Sequence, residues 1–125
     1  MDIKTIDHRE GPNSDAYPPA VVANGFVFVS GQVGRDDSGT LKEGLEAQIN
    51  QAMKNIETIL EAAGSSLDRV VRIGAFLANV EDFPRFNKTY LEFYPDYRPA
   101  RTAVEGGRFS NPEMLVEIEA IAVVE

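Results

Sequence analysis

The chain has 125 residues, 20 acidic against 12 basic, for a formal net charge of −8. That length suits one compact domain, 1–125, with a single core and no room for a separate cofactor domain. The acidic balance argues against nucleic acid and anionic membranes as partners, and the lack of any cysteine excludes disulfides, thiolate metal sites and cysteine nucleophiles. With His8 the single histidine, a multi-histidine metal centre is excluded as well, and a Ser-His-Asp arrangement survives only if His8 serves it.

The segment MDIKTIDHRE is charged from its second residue and has no apolar stretch. No secretory signal is read there, and the expected compartment is the cytoplasm, or a matrix reached by way of a removed leader. No apolar run approaches the roughly 20 residues needed to span a bilayer.

Residues 2–7 alternate, with Ile3 and Ile6 as apolar anchors, and predict a short edge strand. Gly11-Pro12-Asn13-Ser14-Asp15 and Pro18-Pro19 break regular structure and leave Tyr17 on a loop. Asn24-Gly25 between two runs of β-branched and aromatic residues signals a type I′ hairpin, with strands at 20–23 and 26–30 closed by Ser30-Gly31-Gln32. Leu45, Ile49, Ala52, Met53, Ile56, Ile59, Leu60 and Ala63 recur every three or four positions and predict a helix over 43–63, with Gly64 placed as its left-handed C-cap.

Val70, Val71, Ile73, Phe76, Leu77 and Val80 predict a buried strand at about 69–79. Asp82 reads as the N-cap of a second helix at 83–94, which tolerates Pro84 in its first turn and carries the aromatic stripe Phe83, Phe86, Tyr90, Phe93 and Tyr94. A strand over 100–105, a bend at Gly106-Gly107, a turn at Ser110–Glu113 and a final strand over 115–124 complete the order. Two helices in so short a chain cover only one face of a mostly antiparallel sheet, so the other face must meet another protomer. On the last strand Val116, Ile118, Ala120, Ala122 and Val124 share one face, while Leu115, Glu117, Glu119, Ile121 and Val123 share the other.

Five features bear on chemistry. Arg101 shares a strand face with Ala103 and Glu105 and lies between small residues that leave its guanidinium accessible, and arginine grips a carboxylate through two parallel hydrogen bonds. The simpler reading of Arg101 is a structural ion pair with Glu105 or another glutamate. Glu119, with Ile121 and Val123 along its face, suits a partly desolvated proton acceptor; Glu117 has equal claims by spacing, and a solvated rim glutamate is the plain reading of either. Tyr17 on its loop, Ser30-Gly31 at a strand end and Asn87 within the aromatic helix are candidate pocket residues, each with an ordinary packing or surface alternative. No phosphate-binding glycine loop is present, and Asp36-Asp37-Ser38-Gly39 lacks calcium-ligand spacing.

FVFVSGQVG at 26–34, LEAAG at 60–64, FNKTYLEFY at 86–94, Pro99-Ala100-Arg101 followed by TAVE, and VEIEAIAV at 116–123 together resemble the RidA (YjgF) family of reactive-intermediate deaminases. The resemblance implies an α+β, chorismate-mutase-like protomer, with two helices on one face of a mostly antiparallel sheet, assembled as a trimeric barrel with intersubunit sites. It implies hydrolysis of enamines and imines such as 2-aminoacrylate to a 2-keto acid and ammonia, with no cofactor and no metal. Carried onto this sequence, Arg101 would hold the substrate carboxylate and Glu119 would position the attacking water. Tyr17, Ser30, Gly31 and Asn87 would line the pocket, and Ala103 would contribute backbone.

A non-catalytic trimer that binds small carboxylate metabolites is the alternative. Ribonuclease activity, attached to some relatives, fits poorly with a charge of −8 and no basic stripe. Three departures stand out. Asp15-Ala16 precede Tyr17 where family members often have Gly-Pro, Ala103 stands where a cysteine is common, and Gly106-Gly107 replace bulkier residues.

Overall fold

The computed structural model describes residues 2–6 and 16–124; His8 and the break at Gly11–Asp15 lie outside them. Six strands form one sheet: β1 (Ile3–Ile6), β2 (Ala20–Ala23), β3 (Phe26–Val33), β4 (Val70–Leu77), β5 (Ala100–Glu105) and β6 (Val116–Val123). Helix α1 (Leu45–Ala62) follows β3, and α2 (Phe83–Leu91) joins β4 to β5. The strand order is β1-β2-β3-β6-β4-β5. Every pairing is antiparallel except β4 with β5, which run parallel because α2 supplies the crossover that parallel neighbours require.

The hairpin forms at Asn24-Gly25, both with positive φ (52° and 82°), as a type I′ turn demands. β3 does not stop at residue 30. A register shift between Val29 and Gln32 absorbs the Ser30-Gly31 step, and the strand resumes with Gln32 opposite Ile118 and Val33 opposite Glu117. A bulge of this kind looks like a strand end in sequence, because glycine after serine also marks turns. Ile3 and Ile6 are an odd number of residues apart and so face opposite sides. Ile6 is buried, whereas Ile3 is exposed and anchors nothing.

Helix α1 ends in a Schellman arrangement, with Gly64 at φ 82°, its N–H donating to Glu61 O, and the Ser65 N–H donating to Leu60 O. Asp82 does not cap α2 with its side chain; it closes a 3₁₀ turn, Val80–Asp82, and Asn79 Oδ1 accepts from the Glu81 N–H instead. The α-helix ends at Leu91, not at 94. Phe93 and Tyr94 donate to Tyr90 O and Leu91 O in tighter i→i−3 bonds, and Pro95 then prevents continuation.

Both helices pack on one face. Leu45, Ile49, Met53, Ile56 and Leu60 of α1 and Phe86 of α2 are fully buried against Val27, Ile73, Leu77 and Ile118 of the sheet. Cutting one of these back to alanine removes about 2–5 kcal/mol. On the opposite face Phe26, Phe28 and Val104 stand 37%, 44% and 42% exposed. Among the described residues, the sheet is thus covered on one side only, as the two helices dictate.

Candidate active site

Arg101 sits near the start of the edge strand β5, in register with Ile73 of β4. Ile73 is buried on the helix-covered face, and that face sets the direction of Arg101. Its guanidinium lies 5.0 Å from the ring centre of Tyr90 and 5.5 Å from that of Phe86, two buried α2 residues one helical turn apart. Cation–π attraction to two fixed rings holds the guanidinium in place without neutralising it. No ion pair joins Arg101 to a described carboxylate. Glu105, its suggested structural partner, accepts from the Val80 N–H at 2.8 Å.

Asn87 and Tyr90 line the same cavity as Arg101, about 310 Å³ in volume, together with Leu91, Arg98 and Pro99. Asn87 Oδ1 and the Tyr90 hydroxyl are both buried and have no hydrogen-bond partner among the described residues. Such atoms cost about 1–3 kcal/mol each when left unsatisfied, so they mark a surface that another molecule completes. Burial pushes the Tyr90 phenol above its usual range, with Arg101 pulling partly the other way.

A second, larger cleft of about 700 Å³ contains Tyr17, Gly31, Phe109, Ser110 and Glu117. Ser30 supports it from beneath: its hydroxyl donates to Pro18 O at 2.7 Å and its N–H to Pro19 O at 2.8 Å, which pins the Tyr17 loop to β3. Ala103 lies two residues beyond Arg101, half-buried and in register with Ala75.

Glu117 and Glu119 project together from the uncovered face, opposite Phe76 and Gly74 of β4. Each carboxylate fills space left by a glycine. A Cβ on Gly31 would clash with Glu117 Oε2 and lie 2.9 Å from its Cδ, and one on Gly74 would lie 2.8 Å from Glu119 Cγ. Glu117 is half-buried; desolvation, then the charge of Glu119, raises its pKa. Glu119 is exposed and lines neither cleft.

The expected residues thus fall into two groups. Tyr17, Ser30 and Gly31 gather around Glu117, while Asn87, Arg101 and Ala103 gather at the β5 edge. Arg101 and the β6 glutamates leave the sheet from opposite faces, so a single protomer does not bring them together. The aromatic platform that Phe86 and Tyr90 give Arg101 and the space at Gly74 are not legible in the sequence; of the two glutamates that spacing leaves level, Glu117 is the partly buried one. The i, i+4 spacing of the two rings was the available signal. Among the described residues, no cluster of His, Cys, Asp or Glu is suited to hold a metal ion.

The family model described as Endoribonuclease L-PSP matches residues 9–124. A crystal structure of RidA from the Antarctic bacterium Psychrobacter shares 37% identity and a TM-score of 0.82, covering 86% of this chain and 88% of that one. The chain belongs to the RidA (YjgF, L-PSP) family. A RutC family protein of Pyrococcus horikoshii is 40% identical over 111 residues, 87% of each chain. Yeast Mmf1 matches this RidA-family chain with a TM-score of 0.91 at 29% identity, covering 99% of this chain and 100% of that one. The α+β architecture, with two helices on one face of the six-stranded sheet, is that of these RidA structures.

Proposed function

We propose that this chain hydrolyses small 2-imino acids and their enamine tautomers to 2-keto acids and ammonia, in clefts shared between protomers of a homotrimer. The observation that carries this reading is Arg101: a guanidinium stacked on two rings, exposed, and engaged by no described carboxylate. In a chain with 20 acidic residues, leaving such a charge unpaired suits an acidic ligand.

The chemistry needs little more. Arg101 grips the substrate carboxylate and fixes the neighbouring C=N carbon. Protonation of an enamine at its methylene carbon gives the iminium. Water then adds to the C=N carbon while a carboxylate takes its proton, and the π pair moves to nitrogen. Proton transfer to nitrogen and collapse of the carbinolamine expel ammonia and leave the keto group. The resemblance implied Glu119 as the water-positioning group. Geometry favours Glu117, which shares its cleft with Tyr17 and Gly31 and whose pKa is raised by burial and by the charge of Glu119.

The separation of Arg101 from Glu117 on opposite sheet faces favours an intersubunit site. The apolar, uncovered face offers the surface for assembly. Analytical ultracentrifugation tests the trimer. Ammonia and keto-acid release from enzymatically generated imines, wild type against Arg101→Ala, tests the activity; undiminished turnover in the variant refutes the clamp. Saturable keto-acid binding without turnover would instead make the chain a carboxylate-binding trimer. The family model's description names a ribonuclease; RNA cleavage lost on Arg101→Ala would be the outcome that favours that activity here. The cytoplasm remains the proposed compartment. Because a fission-yeast relative, 37% identical, is named as mitochondrial, recovery in the matrix fraction is the contrary result.

A further inference from the structure

The cavity that holds Arg101 contains a second arginine. Arg98 lines it three residues earlier, across Pro99, and the remaining lining residues are Asn87, Tyr90, Leu91 and Pro99. None of the six is acidic. Arg35 donates to Gly39 O, Arg72 to the Thr102 hydroxyl, and Arg85 grips Glu46 in a two-pronged pair while also approaching Asp82; Arg108 also lacks a hydrogen bond or ion pair with a described residue, but it lies outside this cavity. Arg98 and Arg101 have no hydrogen bond or ion pair with a described residue, although acidic side chains outnumber basic ones by 20 to 12. Two uncompensated guanidinium groups in one small concavity create a field of one sign, and that field favours a ligand carrying two negative charges over a ligand carrying one.

We propose that this site selects 2-imino acids with a second, distal carboxylate, with Arg101 on the α-carboxylate and Arg98 on the distal one. The inference rests on the reading of Arg101 as a carboxylate clamp and adds a specificity residue to it. A cavity of about 310 Å³ accommodates a four- or five-carbon chain between the two guanidinium groups. The unpartnered Asn87 Oδ1 supplies an acceptor for an N–H of such a substrate, which a keto product lacks. Pro99 fixes its own φ and so limits how far Arg98 and Arg101 can drift relative to one another.

The test compares product-like ligands, so it does not depend on turnover. Affinities of 2-oxosuccinate and 2-oxobutanoate are measured by calorimetry on the wild-type assembly, Arg98→Ala and Arg101→Ala. Wild type is expected to prefer the dicarboxylate about tenfold, which is the scale of one added charge-assisted contact. Arg98→Ala is expected to bring the affinity ratio close to one. A ratio has the further merit of cancelling any loss of folded protein. Equal affinities in wild type, or a preference that survives Arg98→Ala, overturn the proposal. Arg101→Ala reads the parent claim separately: if it binds both ligands as wild type does, the clamp itself is wrong. With the clamp intact, the same ratio taken on kcat/KM with the imines of aspartate and 2-aminobutanoate is expected to move in parallel.

Discussion

Replacing Gly31 by alanine moves a carboxylate and leaves the fold nearly untouched. The added Cβ would overlap Glu117 Oε2 and stand 2.9 Å from Cδ and 3.1 Å from Cγ. Comfortable contact begins at about 3.5 Å, so the carboxylate must retreat by roughly half an ångström or more. Gly31 does not have positive φ, so alanine fits its backbone, and stiffening the unfolded chain contributes about 0.4–1 kcal/mol toward stability. Displacing the flexible end of Glu117 offsets a similar amount, and little change in melting temperature is expected. Turnover behaves differently, because a 1 Å misplacement of a reacting group costs about 100-fold. Ammonia release by Gly31→Ala is therefore expected to fall about 30- to 100-fold in kcat at nearly constant stability. Gly74→Ala is the matched control: its Cβ would lie 2.8 Å from Glu119 Cγ and 2.9 Å from Oε2, moving the other glutamate. A smaller loss is expected there. The opposite order, with Gly31→Ala near wild type and Gly74→Ala crippled, would assign the water to Glu119 and refute the reasoning.

Glu119→Gln removes the like charge that helps raise Glu117, so the acid limb of the kcat/KM profile is expected to move to lower pH; an unmoved limb contradicts the coupling. The native state binds the Glu117 proton more tightly than the unfolded chain does. The resulting penalty on folding grows as pH rises from the ordinary carboxylate value through the raised one, so Glu117→Gln should melt higher than wild type at pH 7 and gain less at pH 4. Arg101→Lys keeps the charge but loses the planar fork and its contact with the Phe86 and Tyr90 rings. Its kcat/KM is expected to fall about 10- to 100-fold, and a lysine variant with wild-type kinetics would dismiss the platform. Asp36, which accepts from Ser38 and Thr40, is held down to about 2, so its stabilising effect is complete above the ordinary value of 3.8 and disappears as pH falls toward 2. An NMR titration midpoint at 3.8 would contradict that loop geometry.

Period and punctuation made most of the fold legible. The stripe from Leu45 to Leu60, the Asn24-Gly25 turn and the alternation from Val116 to Ala122 reappear in the structure, because each depends on local geometry and one buried face, while Ala63 and Val124 fall just outside their elements and are only partly buried. What failed depended on tertiary partners. Ser30-Gly31 reads as a strand end, and only pairing with β6 carries β3 on to Val33. Asp82 looked like a cap, but Asn79 takes that role one turn earlier in a 3₁₀ segment that composition does not announce. Arg101 was legible through its setting in Pro-Ala-Arg, whereas its rings belong to another element. The two glutamates were inseparable by spacing; the difference lies in which glycine stands beside each and which cleft each meets. Arg98 is not legible as a site residue in the sequence, since an arginine in a proline-rich loop has no periodic neighbours to give it a face.

Mixing two inactive chains tests the central claim most directly. Arg101→Ala and Glu117→Gln are co-refolded in equal amounts and assayed for ammonia release. If each cleft takes its guanidinium from one protomer and its carboxylate from the next, random assortment rebuilds about one site in four, and activity returns to roughly a quarter of wild type. If both groups act from the same protomer, every cleft in the mixture carries one lesion, and the mixture stays as inactive as its parents.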